Sequence, residues 1–439
     1  MVWKMIYKEI VMKIVGLITE YNPFHNGHLY HIEEAKRVTG ADTVVVVMSG
    51  DYVQRGTPAF MPKRLRGEMA LRCGAGAVFE LPVCYATGSA EYFALGAVSL
   101  LDRLGIVDCI CFGSECDDLK AMQKAADILL EEPEGYKELL RQYLKEGKSF
   151  PAARQSALSD HMGESSTAQI LRDPNNILGI EYLKALKRTK SSMVPYTILR
   201  QGAGYHDREL DMQYSSASAI RSLLAWSGSA IHTEQPSGTF DNTPFSNILD
   251  DLENQVPPSC LPMLKDYHRV QYPVYQNDFS LLLKYKLLNK QPESLLRYMD
   301  VSEELANRIC TRLDDFFNFK QFSELLKTRE LTRSRIDRAL LHIMLGTKKK
   351  SVQEYIDGGL HFYARLLGFR KDQSRLLTEI SKKSSLPLLA RLSESSSLSE
   401  TGRRMLRHDI LASNLYTSVV TDKFRTAFQN EYRQALIKV

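Results

Sequence analysis

Two hydrophobic periods alternate along the first half of the chain. KIVGLIT (13–19), TVVVVMS (43–49), AVFELP (77–82), DCICFGS (108–114) and SMVPYTILR (192–200) are short, largely apolar runs bounded by Gly, Asp, Ser or Pro. Between them, residues 27–38, PKRLRGEMALRCG (62–74), SAEYFALGAVSLLDRLG (89–105), DDLKAMQKAADILLEE (117–132) and ILGIEYLKALKR (177–188) repeat their apolar positions at helical spacing. Pro opens and Gly closes the helix at 62–74, in keeping with the asymmetry of helix ends. Near-continuous apolar strands alternating with helices predict an α/β fold, with a parallel sheet covered on both faces.

The pattern then changes. YSSASAIRSLLAWSG (214–228) reads as a loop entering a helix, and residues 229–247 are rich in Ser, Thr, Pro, Asn and Gly. Beyond about residue 255 helical spacing takes over, as in FSLLLKYKLLN (279–289), SRIDRALLHIMLG (334–346) and HFYARLLGFRKDQSRLL (361–377). The expected organisation is an α/β domain over 12–228, a linker over 229–254 and a mostly α-helical region over 255–439. MVWKMIYKEIV (1–11) precedes the first strand as an extension and lacks the long apolar core of a signal peptide.

Composition narrows the class. Hydrophobic residues make up 44% and charged residues 25%, which fits a folded soluble protein. No apolar run approaches the ~18 residues of a membrane span, so no membrane partner is expected. Seven cysteines in 439 residues are too few and too irregular for a disulfide framework. Cys109, Cys111 and Cys116 lack a second pair at zinc spacing, so buried reduced thiols are the simpler reading and no protein metal site is expected. The reduced-thiol reading of the cysteines suits a cytoplasmic protein. The net charge of +5 is unevenly divided: residues 320–439 hold 23 Lys+Arg against 12 Asp+Glu, and the preceding part holds 34 against 40. A basic distal part suits a polyanionic partner, although a solvated helical surface would give the same balance.

The candidate chemistry lies in ITEYNPFHNGHLYHIEEA (18–35), where the first strand ends. Parallel sheets bind ligands at the carboxyl ends of their strands. Neither GxGxxG nor GxxxxGK[ST] follows this strand, which argues against an ordinary dinucleotide site and a P-loop. Phosphate would instead meet the start of the helix after Gly27, where His25 and His28 offer hydrogen bonds to phosphoryl oxygens. Gly27 would allow close approach of a nucleotide.

HNGH (25–28) on the first strand-to-helix turn resembles the HxGH signature of the nucleotidylyltransferase superfamily, which includes the HIGH-type aminoacyl-tRNA synthetases. SSASAIR (215–221) is similar to the superfamily's second signature, at the far end of the sheet. GLITEYNPFHNGH, SGDYVQRGTPA (49–59), ELPVCYATGSAEYFA (80–94), FGSE (112–115) and PNNILGIEYLKAL (174–186) narrow the resemblance to the bacterial tRNA(Met) cytidine acetate ligases, over nearly the whole chain from Met12. Gly76 departs from that pattern, where an Asp is expected.

The resemblance implies a Rossmann-like nucleotidylyltransferase domain that activates acetate with ATP as acetyl-adenylate. The acetyl group then passes to N4 of the wobble cytidine of elongator tRNA(Met). It implies His25, His28 and Arg221 as catalytic residues. The ATP-binding stretch would run through Ile18, Thr19, Glu20, Tyr21, Asn22, Pro23, Phe24, His25, Asn26, Gly27, His28, Leu29, Tyr30 and His31. Gly113, Asn175 and Arg200 would add contacts, with Asn176 and Gln201 close by and Ser215 and Ser216 on the second signature. Asn175 and Asn176 also suit a helix N-cap. Mg²⁺ would bridge phosphate oxygens. Arg55 lies in a Gly-flanked loop at the sheet's active end, whereas Lys63 and Arg64 read as a solvated helix face. Lys348, Lys349 and Lys350, with Arg365, Arg370, Lys371 and Arg375 in one helical segment, are candidates for sequence-independent attraction to tRNA. Two other functions compete. A small-molecule adenylyltransferase has no need of the long basic part. A non-catalytic tRNA-binding protein has no need of intact HxGH and SSASAIR.

Overall fold

The computed structural model describes residues 12–163, 170–200, 216–226, 248, 250–328 and 330–439. The sequence-predicted extension at 1–11, most of the linker, and the positions Gln201 and Ser215 lie outside the described residues. The strands are β1 (Ile14–Thr19), β2 (Thr43–Ser49), β3 (Tyr52–Val53), β4 (Thr57–Pro58), β5 (Ala77–Leu81), β6 (Cys109–Ser114), β7 (Val194–Leu199), β8 (Ala364–Phe369), β9 (Leu388–Leu389) and β10 (Ile437–Lys438). Eight of them form one sheet in the order β10-β8-β5-β2-β1-β6-β7, with β9 paired to β8. β5, β2, β1, β6 and β7 are mutually parallel, and β8 joins β5 antiparallel.

Burial on both faces explains the unbroken apolar strands. Val45 and Val47 point into one core, shared with helices Ala90–Arg103, Leu119–Glu131 and Pro174–Thr189. Val44, Val46 and Met48 point into the other, shared with helices Asn26–Thr39, Lys63–Arg72 and Leu261–Tyr267. Cys109 and Cys111 also face this second core, 1% and 2% exposed, while Cys116 is exposed. A third core gathers helices Ser280–Leu288, Glu303–Thr311, Phe319–Leu326 and Arg333–Leu345 against the long helix Glu400–Phe424. The β3–β4 hairpin leans on this third body. Gly56 has φ +79°, and a Cβ there would stand 2.6 Å from Arg338 Cα.

The distal part, expected to be mostly α-helical, also contributes strands to the sheet. Residues 361–377 do not form one helix: YARLLGF contains β8, and a separate helix, Arg375–Lys383, follows. A short apolar run with both faces buried is indistinguishable from a buried helix by periodicity. The distal strands therefore extend the sheet of the first half.

Buried charge fixes that joint. Lys63, expected on a solvated face, is 1% exposed. Its Nζ lies 2.7 Å from Glu80 Oε1, 2.8 Å from Glu431 Oε1 and 2.6 Å from Ser413 Oγ. Arg365, expected to be available to tRNA, is 6% exposed, pairs with Glu80 at 3.0 Å and also binds Glu431. Burial alone would raise the Glu431 carboxyl, but Lys63 and Arg365 outweigh it and hold its pKa at about 2. Arg66 is fully buried, and its guanidinium donates to the carbonyls of Met61, Glu20, Ser49 and Gly50, tying the turns after β1 and β2 together.

Gly76, the departure from the family pattern, sits just before β5 at the sheet's amino edge. A Cβ there would stand 2.5 Å from Thr43 Oγ1 and would also clash with the Gln373 amide, which bonds Thr43.

Candidate active site

The carboxyl ends of β1, β6 and β7 open into a cavity of about 480 Å³. The chain leaves β1 through Tyr21, with φ 48°, and a cis Asn22–Pro23 bond, then enters helix Asn26–Thr39 with His25 as its N-cap. His25 Nδ1 accepts from Gly27 N at 3.1 Å, and His28 Nδ1 accepts from His25 N at 3.3 Å. The two imidazoles thus form a reciprocal capping box and lie with ring centroids 3.8 Å apart. An acceptor role at Nδ1 puts the proton of each neutral ring on Nε2. Both rings line the cavity. Burial, followed by the positive charges of Arg200 and Arg221, pulls the pKa of His25 down to about 3. Burial and the neighbouring imidazoles pull His28 well below the usual histidine range. The pair is therefore two neutral N–H donors at neutral pH.

The start of the helix does not offer the backbone cradle expected from the sequence. Asn26 N donates to Gln255 O at 3.0 Å, Gly27 N is held by His25, and His28 N and Leu29 N both donate to His25 O at 2.8 and 3.2 Å. Gly27 lines the cavity, but a Cβ there would first meet His25 Cε1 at 2.9 Å. Its lack of a side chain thus makes room for the capping imidazole.

The second signature closes the opposite side. Ser216 Oγ accepts from Ala219 N at 3.1 Å and caps helix Ala217–Trp226. Ser216, Ala217, Ser218 and Arg221 all line the cavity, so the positive end of this helix faces it. Arg221 donates to Asn22 O at 2.7 Å and Ser218 Oγ at 3.0 Å, linking the two signatures.

Of the remaining sequence candidates, Ile18, Thr19, Glu20, Tyr21, Asn22, Tyr30, His31, Gly113, Asn175 and Arg200 line the same cavity. His31 Nε2 hydrogen-bonds Cys111 O at 3.2 Å. Pro23, Phe24, Asn26 and Leu29 do not line it. Phe24 is fully buried and, with Tyr21, packs around His28 at ring separations of 5.5 and 4.9 Å. Asn26 Nδ2 instead binds Asn254 O at 2.8 Å. Asn176 is 1% exposed, and its Oδ1 accepts from Glu115 N at 2.9 Å, so it anchors the FGSE turn from inside helix Pro174–Thr189.

Among the basic candidates Arg55 is exposed in the β3–β4 hairpin and lines the cavity. Lys348, Lys349 and Lys350 are exposed at the start of helix Lys349–Asp357, and none lines it. Arg370 N bonds Gly76 O at 2.9 Å and Lys371 N bonds Val439 O at 2.8 Å. Both therefore sit at the sheet's amino edge, across from the cavity.

Sequence reasoning missed one wall. Val274, Tyr275 and Gln276 line the cavity beside Val53, Thr57, Pro58 and Phe60. The Tyr275 ring carries Lys423 Nζ 4.4 Å above its centroid. Gln276 Nε2 donates to Asp337 at 2.8 Å. Nothing in YPVYQND has the form of a motif, and this wall is assembled where the second and third cores meet. Among the described residues no group of three His, Cys, Asp or Glu is placed to hold a metal ion. Glu20 is the carboxylate that lines the cavity, and its Oε1 accepts from Gln54 N at 2.8 Å.

The HIGH Nucleotidyl Transferase family model matches residues 12–431. A tRNA(Met) cytidine acetate ligase from Acetivibrio thermocellus is 42% identical over 430 residues, covering 97% of this chain and 100% of the relative. One from Caldanaerobacter subterraneus subsp. tengcongensis is 43% identical over 407 residues, 92% of this chain and 95% of the relative. The crystal structure of Thermotoga maritima TmcAL bound with alpha-thio ATP has a TM-score of 0.85 at 30% identity, covering 98% of this chain and all of that one.

Proposed function

This chain belongs to the tRNA(Met) cytidine acetate ligase family of HIGH nucleotidyl transferases, and on that premise we propose that it is an ATP-dependent ligase that acetylates N4 of the wobble cytidine of elongator tRNA(Met). The observation that carries the reading is the pair of neutral imidazoles held by reciprocal Nδ1 caps beside Arg200 and Arg221.

An acetate oxygen attacks the α-phosphorus of ATP, the bond to the bridging oxygen breaks, and pyrophosphate leaves with the electron pair. His25 and His28 donate Nε2–H to the α-phosphoryl oxygens as charge builds there. Arg221 and the start of helix Ala217–Trp226 hold the departing pyrophosphate. Gly113, Asn175 and Arg200 receive the nucleoside side. The cytidine amine then attacks the acetyl carbonyl. The C–N bond forms, AMP leaves and N4 gives up a proton. Cytosine N4 is a weak nucleophile, so positioning against the mixed anhydride matters more than a strong base. Mg²⁺ bound with the triphosphate would offset phosphate charge. The residues present fit an ion carried by the nucleotide, with Glu20 the carboxylate within the cavity.

Pyrophosphate exchange into ATP tests the first half without RNA. Exchange should require acetate. His28→Ala should reduce it by roughly 10²–10³-fold, the loss expected for one transition-state donor. Acetate-independent exchange, or none even with tRNA present, would overturn the reading.

A further inference from the structure

The segment that supplies Val274, Tyr275 and Gln276 to the cavity continues directly into helix Ser280–Leu288. That helix buries Leu283 and Leu287 in the third core. Its outer side carries Leu281, Tyr285 and Leu288, which are 79%, 68% and 59% exposed. Spacings of four and three residues align them in one stripe. Phe317, 81% exposed, belongs to the adjoining turn. Lys284 Nζ reaches Phe316 O at 3.5 Å, and Phe319 N donates to Ser280 Oγ at 3.0 Å, so the turn is bound to this helix on both sides of Phe317.

Four large apolar side chains gathered on one face differ from the scattered exposed apolar residues of an ordinary surface. Two of them are aromatic rings. Lys284, Lys286 and Lys290 come from the helix and its end, and Lys320 from the turn's far side. Asp314 and Asp315 precede the turn, and Asp315 is paired with Arg312 at 3.2 Å.

We propose that this face docks unpaired bases of the tRNA substrate that flank the cytidine entering the cavity. The proposal rests on the function given above. Rings exposed to this degree are platforms on which unstacked bases settle, and lysines beside them follow the phosphate backbone. A second copy of this chain would suit the face poorly, because a self-complementary contact sets the same lysines against one another.

The test uses the full chain with Tyr285→Ser and Phe317→Ser combined, and separately Lys286→Gln with Lys320→Gln. All four side chains are exposed, so the fold should be retained. Binding of a tRNA(Met) transcript is measured by fluorescence anisotropy, with a blunt RNA duplex as control. The aromatic pair should weaken tRNA binding roughly tenfold or more, as loss of base stacking does, and leave duplex binding unchanged. The lysine pair should flatten the salt dependence by about 0.7 in log–log slope for each phosphate that is no longer neutralised. Acetate-dependent exchange without RNA should be unaffected in both. Unchanged tRNA affinity in the aromatic variant overturns the proposal. So does loss of a dimer, seen by light scattering, at constant tRNA affinity, because the face would then serve self-association. Failure of the enzyme reading would appear separately, as absence of exchange in the unaltered protein.

Discussion

A histidine can serve a phosphate as a cation or as a neutral donor, and the two roles leave different pH signatures. At His25 the Nδ1 atom is occupied by the Gly27 amide, and burial beside Arg200 and Arg221 keeps the ring uncharged. Protonating Nδ1 would break the cap as well as add a third positive charge. The rate of acetate-dependent exchange at saturating substrates should therefore show no inflection near pH 6.5 between pH 6 and 8. The Cε1–H resonances of both rings should hold still over the same range. An inflection near 6.5 that disappears in His28→Ala would mean that the imidazolium is the working form.

At the scale of elements, the packing of the β3–β4 hairpin on helix Arg333–Leu345 shapes the cavity's far wall. Gly56→Ala forces a Cβ against the Arg338 backbone at a positive φ. It should cost ~1–3 kcal/mol in urea unfolding, the range for overpacking, and should lower tRNA acetylation more than exchange, since the displaced hairpin carries Arg55. A stability change below ~0.5 kcal/mol, the usual range for surface substitutions, would show that the hairpin slides freely.

The same packing marks the limit of what the sequence discloses. The five parallel strands and the helices between them were legible because their apolar period is unbroken and their ends carry Gly, Pro or Asp. HxGH and SSASAIR were legible as local patterns, and the structure brings them together through Arg221 and Asn22 O. The wall of Val274, Tyr275 and Gln276 was not legible, because it depends on packing between distant segments. β8 was not legible either: a short, largely apolar run does not reveal its neighbour. Lys63 and Arg365 were misplaced for a related reason, since a cation looks solvated until its buried carboxylates are found in space.

At the scale of the whole molecule, seven histidines, at 25, 28, 31, 268, 342, 361 and 408, have pKa values lowered chiefly by burial, His31, His268, His361 and His408 to about 4. The unfolded chain binds protons at these sites from pH 6.5 downward, whereas the folded chain does not. Stability is thus complete above about pH 6.5 and is lost as pH falls toward 4, by up to ~1.4 kcal/mol per histidine and pH unit. Asp409 opposes this: burial, followed by Glu80, raises its pKa to about 6, so its charge costs stability as pH rises through 6. Asp51, Asp117 and Asp173 are raised in the same sense, chiefly by burial, but the seven histidines outweigh these carboxylates and leave acid as the weak side. Urea midpoints should fall steeply between pH 6 and 4.5, and a flat profile there would contradict the buried neutral state of these rings.

The ionic joint of Lys63, Glu80, Arg365 and Glu431 also sets an order of events in the cell. Lys63 and Glu80 emerge from the ribosome early, Arg365 late and Glu431 later still. Until Glu431 has been made, the two cations share one close carboxylate, Glu80, with Asp51 farther off at 3.8 Å from Lys63. The site excludes water, and uncompensated buried charge is strongly unfavourable. The joint is therefore electrically complete only once Glu431 is in place. A chain cut before Glu431 should unfold at lower urea than the full chain, because two buried cations would be left with Glu80 as their one close carboxylate.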